Sequence, residues 1–212
     1  MSKDKFIRIG DCVIPTSATI HSGTVIGKRF RKFLNGEFED ESKTILGDNV
    51  FVGYNCIIGN GSEVGNDSII DDKSVLESRV KLGMKNLIIY SSQICCDAAI
   101  GDYCVIGGLI GERTKVGNNC RIFGDIVHSQ LHPMNPWDED GSEEEAVTVL
   151  DKVFIGFNSV LSGNIVVGPQ AYIVAGSLIT KNVPPKYIAF GWNQMVHHTE
   201  WRGRLKNSNL FK

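Results

Sequence analysis

From Leu46 to Ile106 every sixth residue is aliphatic, without interruption. The positions are Leu46, Val52, Ile58, Val64, Ile70, Leu76, Leu82, Ile88, Ile94, Ile100 and Ile106. A period of six fits neither an α-helix, which repeats about every 3.6 residues, nor an alternating strand, which repeats every 2. It is typical of a parallel β-helix, in which each hexad supplies one short strand and one corner. The pattern therefore predicts an all-β fold built from stacked triangular turns.

Within each hexad, the first residue is expected to point into the core, and the fifth to point inward near a corner where only a small side chain fits. The glycine that often occupies the second place is expected to supply unusual backbone angles. Cys56, Cys104 and Cys120 occupy fifth places, so they are interpreted as small buried hydrophobic residues. The adjacent Cys95 and Cys96 lack a second pair at metal-site spacing, and no metal site is predicted.

The same register predicts the organisation of the rest of the chain. Three looser hexads headed by Ile9, Pro15 and His21 precede the central run, and further hexads follow it up to Pro184. Two segments without the period, at about 28–44 and 129–148, are predicted to be loops that leave the β-helix at a corner. We expect one hexapeptide-repeat domain over residues 1–190 and a C-terminal tail over 191–212, forming a helix or a clasp.

Net charge and hydropathy bear on the partners and the location of the protein. The chain of 212 residues has a formal net charge of -2, which gives no reason to expect nucleic acid. No N-terminal stretch combines basic residues with a long apolar run, so no signal peptide or membrane span is predicted, and a cytoplasmic location is expected by default.

Chemistry is expected where the repeat is interrupted. The second loop contains His132, Trp137 and several carboxylates. His128 falls six residues after Ile122, where the next inward aliphatic residue would stand. It is either a rival to His132 as a base and part of a substrate site, or a residue that fills the strand end. Trp137 either lies against an acceptor sugar or covers the loop's own underside.

Three segments resemble hexapeptide-repeat O-acetyltransferases, in particular the maltose, galactoside and streptogramin acetyltransferases. His-Pro-Met-Asn-Pro at 132–136 is similar to their His-Pro segment, and Val-Phe-Ile-Gly at 153–156 to their Val-Trp-Ile-Gly. Ala-Gly-Ser-Leu-Ile-Thr-Lys-Asn-Val-Pro at 175–184 is similar to their Thr-Lys segment. The chain departs from the family at 191–194, where Gly-Trp-Asn-Gln stands in place of Gly-Asn-Pro-Ala.

The resemblance implies a left-handed β-helix, a homotrimer and transfer of acetyl from acetyl-CoA to a hydroxyl of a carbohydrate. It implies His132 as the general base, which removes the proton of a weakly nucleophilic hydroxyl. It also implies the backbone N–H of Phe157 as the donor to the oxyanion. The acetyl-CoA site is expected to involve Phe154, Ala175, Gly176, Thr180 and Lys181, with the lysine near phosphate.

Three other functions remain open. One is N-acetylation of an amino sugar nucleotide, although a primary amine needs less activation than a hydroxyl and the loop histidine therefore favours oxygen. A second is a zinc protein resembling γ-class carbonic anhydrase, whose histidine spacing is not matched by His128 and His132. A third is a non-catalytic scaffold, because a fold alone does not determine a function.

Overall fold

The structure, a computed structural model, describes residues 5–30, 42–129, 133–134 and 146–212. Short strands in these ranges form three parallel sheets, one on each side of a triangular β-helix. The first sheet contains β1 (Ile7–Arg8), β4 (Val25–Lys28), β7 (Ile57–Gly59), β10 (Val75–Leu76), β13 (Gln93–Ile94), β16 (Leu109–Ile110), β19 (Asp125–Val127), β22 (Val160–Ser162) and β25 (Leu178–Ile179).

The second sheet contains β2 (Cys12–Val13), β5 (Thr44–Leu46), β8 (Glu63–Val64), β11 (Lys81–Leu82), β14 (Ala99–Ile100), β17 (Lys115–Val116), β20 (Thr148–Val149) and β23 (Val166–Val167). The third sheet contains β3 (Thr19–Ile20), β6 (Phe51–Val52), β9 (Ile69–Ile70), β12 (Leu87–Ile88), β15 (Val105–Ile106), β18 (Arg121–Ile122), β21 (Phe154–Ile155), β24 (Tyr172–Ile173), β26 (Tyr187–Phe190) and β27 (Gln194–His197). The all-β parallel fold predicted from the period is therefore confirmed, while its left-handed sense stays a prediction from the resemblance.

The core consists of the residues that head the hexads. All eleven aliphatic residues of the central run are buried, and Ile58, Ile70, Ile88 and Ile106 are fully inaccessible. Strand pairing aligns Val52 with Ile70 and Ile88 with Ile106, so each head stacks on the head one turn away. The fifth places are buried too, including the thiols of Cys56, Cys104 and Cys120.

The second-place glycines are required for a different reason from the one expected. Gly47 and Gly53 do not have positive φ; a Cβ on either would lie 2.7 Å from the backbone nitrogen of Asn66 or Asp72 in the next turn. The left-handed conformation occurs instead two residues later, as at Asn49, with φ 56°. Close approach of successive turns therefore selects glycine at the second place, and the fourth place turns the corner.

The predicted register of the N-terminal hexads was wrong by one residue. Ile20 pairs with Val52 and packs against the core, whereas His21 stacks outside against aromatic rings. Ile26 likewise pairs with the buried Ile58. An aliphatic side chain gains more than an imidazole from leaving water, so Ile20 rather than His21 takes the inward place.

The tail after β26 covers one edge of the third sheet. β27 pairs antiparallel with β26 and is followed by three short 3₁₀ helices, His198–Glu200, Arg204–Asn207 and Asn209–Phe211. Phe211 is buried, and its ring stacks on His198 with centroids 4.3 Å apart. The tail is therefore a strand followed by 3₁₀ turns. Nowhere in the described ranges is there a helix long and apolar enough to cross a membrane.

Ile69 and Ile70 provide a matched test of the inward rule. They are neighbours in β9, but Ile70 is fully buried and Ile69 is 43% exposed. Ile70→Ala is expected to lower the free energy of unfolding by about 2–5 kcal/mol, because it removes packed methyl groups and leaves a cavity. Ile69→Ala is expected to change it by about 0.5 kcal/mol. Urea unfolding of both variants measures the difference, and equal effects would contradict the assigned faces.

Candidate active site

Side chains from the next turn satisfy many backbone N–H groups at the corners. The third residue of a hexad donates its N–H to the Asp or Asn at the same place one turn later. The N–H of Tyr54 donates to Asp72 Oδ1 at 2.7 Å, and that of Met84 to Asp102 Oδ1 at 2.9 Å. The N–H of Asn118 donates to Asp151 Oδ1 at 2.7 Å. We call these contacts the capping ladder. They supply the acceptors that backbone donors require where the strands end.

The capping ladder is interrupted at Phe157. Pairing of β21 with β24 places Ala175 one turn from Phe157, and a methyl group offers no acceptor. The Phe157 carbonyl accepts from the Gly176 N–H at 2.9 Å, but the Phe157 N–H has no acceptor among the described residues. Phe157 is 62% exposed. This N–H therefore makes no hydrogen bond within the described residues and belongs to a largely exposed residue.

An open N–H alone does not define a site. Asn66 lies one turn from Met84, and Tyr90 lies one turn from Gly108, so the capping ladder has other gaps. At Phe157 the second-place glycine is Gly156, where a Cβ would lie 2.6 Å from the backbone nitrogen of the next turn. What distinguishes Phe157 is the set of side chains around it.

Four aromatic rings, that of Phe157 among them, form one continuous group. We call them the aromatic strip: Phe123, Phe154, Phe157 and Tyr172. Phe157 stacks on Phe123 with centroids 4.6 Å apart, and Phe154 stacks on Tyr172 at 4.5 Å. Phe123 joins the two pairs through a 5.8 Å contact with Phe154. Desolvation raises the pKa of the Tyr172 phenol, and Phe123, Phe154 and Tyr172 are each half-buried.

A second group of predicted residues lies at another corner. His128 follows β19, and Thr180 and Lys181 follow β25, so all three lie where the first sheet leads into the second. We call this the first corner. The register from Ile126 through Leu161 to Ile179 places His128 two turns from Lys181, about 9.6 Å along the axis.

The structure corrects the expectation that His128 holds an inward place. Ile126 is the fully buried residue of β19, and His128 is half-buried at the first corner. The hexad that begins at Ile122 is shortened to four residues. The next inward residue is therefore Ile126, two residues earlier than a strict period of six predicts. Gly124 allows this because a Cβ there would lie 2.5 Å from the carbonyl oxygen of Ser159.

The predicted acetyl-CoA residues therefore lie in two separate places. Phe154 is half-buried in the third sheet, and Ala175 and Gly176 are exposed where that sheet leads into the first, which we call the third corner. Thr180 and Lys181 are exposed at the first corner. Asn193 binds Thr180 twice, accepting from its N–H and donating to its hydroxyl, both at 2.8 Å. His132 and Trp137 lie outside the described residues.

Phe123, Tyr172 and Asn193 were missed by sequence reasoning. Phe123 occupies the second place of its hexad, where glycine is usual. The large aromatic residue at that place could have indicated that this turn belongs to a site. Tyr54 and Asp72, which are joined in the capping ladder, are 18 residues apart. The residue 18 positions after Phe157 is Ala175 instead of Asp or Asn, so the gap in the capping ladder could have been detected from the sequence. Contacts between turns are invisible to a search for short local motifs.

Comparison with known proteins gives partial matches. No protein-family model matches the chain. The bifunctional protein GlmU of Streptococcus uberis is 33% identical over 118 residues, which cover 54% of this chain and 26% of that protein. GlmU of Brevibacillus brevis is 31% identical over 134 residues, 61% of this chain and 29% of that protein. The chain spans little more than a quarter of the length of these relatives.

Solved structures with related folds include two named transferases. The polysialic acid O-acetyltransferase OatWY is 18% identical, with a TM-score of 0.39 and coverage of 91% of this chain and 87% of that one. A variant of AntD, an N-acyltransferase from Bacillus cereus in complex with dTDP and coenzyme A, is 20% identical. Its TM-score is 0.46, and the match covers 72% of this chain and 81% of that one.

The period of six, uninterrupted from Leu46 to Ile106, and the three parallel sheets define the class, a parallel β-helix. Within that class, its period of six resembles that of the hexapeptide-repeat proteins.

Proposed function

We propose that the protein is an acetyl-CoA-dependent O-acetyltransferase that acetylates a hydroxyl of a carbohydrate. The observation that carries this proposal is the open N–H of Phe157 beside the aromatic strip. A backbone donor without an acceptor among the described residues, next to a half-buried apolar surface, is suited to stabilise a negatively charged oxygen that forms during a reaction. The structure of AntD, the similar N-acyltransferase, contains coenzyme A, and coenzyme A is proposed here as the carrier of the acetyl group.

The reaction follows from the chemistry of an alcohol and a thioester. His132 removes the hydroxyl proton as the alcohol oxygen attacks the thioester carbon, and the carbonyl oxygen becomes an oxyanion that accepts from the Phe157 N–H. When the tetrahedral intermediate collapses, the carbon–sulfur bond breaks. The departing thiolate then receives the proton held by the imidazolium, so the products are an acetyl ester and a thiol.

The division of residues between corners supports a site shared by two protomers of a homotrimer. Phe157 and Ala175 lie at the third corner, whereas Lys181 and the start of the loop that carries His132 lie at the first. A neighbouring protomer that presents its first corner to this third corner would bring the two groups together. Sedimentation of the full chain is expected to give three chains per particle.

Calorimetric titration with acetyl-CoA tests donor binding. We expect one molecule bound per chain, and we expect Lys181→Ala to weaken binding by about 10-fold because a phosphate loses its point charge. Lys152→Ala is the matched control, since Lys152 is an exposed lysine at a corner of the second sheet. Absence of binding by the wild-type chain would contradict the proposal and favour a scaffold.

A further inference from the structure

A group of metal-ligand side chains lies at the first corner, below the point where the second loop begins. Strands β10, β13 and β16 are neighbours in the first sheet, and pairing aligns Leu76, Ile94 and Ile110. The residues that follow these heads form what we call the thiol–carboxylate cluster: Glu77, Cys95, Cys96 and Glu112. Three successive turns therefore contribute to one place.

Three ligand atoms converge in this cluster. A carboxylate oxygen of Glu77, the Sγ of Cys96 and a carboxylate oxygen of Glu112 all lie within 4.8 Å of one another. Cys96 is 2% exposed, and its thiol donates to Glu77 Oε2 at 3.2 Å. Tetrahedral zinc with bonds of about 2.0–2.3 Å requires ligand atoms about 3.3–3.8 Å apart. Side-chain movements of about 1 Å would therefore close the set around an ion.

The charges of the cluster favour a cation. The carboxylates of Glu77 and Glu112 lie within 4.8 Å of each other and of the Cys96 sulfur, so their negative charges repel. Arg113, whose Nη1 lies 3.6 Å from Glu112 Oε2, is a nearby positive group. A divalent ion would turn this repulsion into attraction and would bind the Cys96 sulfur as a thiolate.

We propose that Glu77, Cys96 and Glu112 bind a divalent ion of the zinc type, with a fourth position open to water. Sulfur and carboxylate ligands together suit zinc better than magnesium or calcium, which prefer oxygen alone. The ion would join three turns of the β-helix next to the loop that carries His132. The proposal does not depend on acetyl transfer.

The competing explanation of the cluster is that Glu77 accepts hydrogen bonds there without any metal ion. Glu77 Oε2 accepts from the Cys96 N–H at 3.2 Å, and its Oε1 accepts from the Gln93 side-chain amide at 2.9 Å. Glu77 thus caps a backbone donor, as the capping ladder does elsewhere. Under this explanation Glu112 has no part in holding the cluster together, and added metal leaves the protein unchanged.

Cobalt binding to the chelator-treated full chain distinguishes the two explanations. We expect one Co²⁺ per chain, with thiolate-to-cobalt charge-transfer absorption in the near ultraviolet. Cys96→Ser should abolish this band, whereas Cys95→Ser, the matched control next to it, should retain it. Glu112→Gln should weaken cobalt affinity about 10-fold or more while the protein stays folded. Zn²⁺ at 100 times its Kd should raise the Tm of the wild type by roughly 5–10 °C.

A wild-type chain that shows neither the band nor the rise in Tm would overturn the proposal. Retention of the band in Cys96→Ser would also overturn it, because the sulfur ligand would then be another cysteine. If Cys96→Ser does not fold, Glu112→Gln decides: unchanged cobalt affinity contradicts the site, and weakened affinity supports it.

Discussion

Replacement of His132 by alanine is expected to lower the rate of acetyl transfer by about 10²–10⁴-fold, because the acceptor hydroxyl then loses its proton only to water. Binding of acetyl-CoA should stay within about twofold of wild type, since the imidazole acts on the alcohol rather than on the carrier. Steady-state kinetics with a saturating acceptor, together with calorimetry, measure both quantities.

His128→Ala is the control that separates the two loop histidines. His128 is half-buried at the end of β19, and we expect its loss to change the rate by less than about 10-fold. A large loss in His128→Ala together with near-normal activity in His132→Ala would assign the base to His128. Unimpaired acetylation in both variants would contradict general-base catalysis by this loop.

Replacement of Ala175 by asparagine is expected to lower kcat by about 10²–10³-fold, the usual effect of losing one oxyanion donor. Asparagine at this place would reproduce the contact that Asp72 makes with the Tyr54 N–H, so the Phe157 N–H would be occupied by the protein itself. The free energy of unfolding should be unchanged or higher, because a backbone donor gains an acceptor. Loss of activity without loss of stability is therefore the expected signature.

The reverse substitution is the matched control. Asp72→Ala removes the acceptor of the Tyr54 N–H. It should lower stability by about 1 kcal/mol without lowering kcat. Measurement of KM and of acetyl-CoA affinity in Ala175→Asn separates loss of the donor from steric exclusion of the carrier. If Ala175→Asn turns over at the wild-type rate, the Phe157 N–H is not the oxyanion donor.

The core could be predicted from sequence because one residue in six must be aliphatic to fill it. Ile58 and Ile106 are fully buried as the period requires. The predicted register failed at Ile20 and His21, where the period alone did not decide which of two adjacent residues points inward. It also failed before Ile126, where a hexad is shortened. A strict count cannot detect a missing residue unless the pairing of strands is known.

The candidate site was predictable only in part, because its contacts join different turns. The family resemblance indicated Phe157 and Ala175 as site residues. It did not show that Ala175 leaves the Phe157 N–H without an acceptor, because that follows from the capping ladder, which links residues about 18 positions apart. The same holds for Glu77 and Cys96 in the thiol–carboxylate cluster, which are 19 residues apart. The roles of His132 and Trp137 remain predictions, since both lie outside the described residues.

Acceptor-dependent release of thiol from acetyl-CoA tests the central claim most directly. The full chain is mixed with acetyl-CoA and matched pairs of neutral sugars and amino sugars, and the products are identified by mass spectrometry. We predict thiol release that requires a carbohydrate hydroxyl and gives one acetyl ester per thiol. An amide as the sole product would contradict O-acetylation, and no acceptor-dependent thiol release across the panel would contradict acetyl transfer altogether.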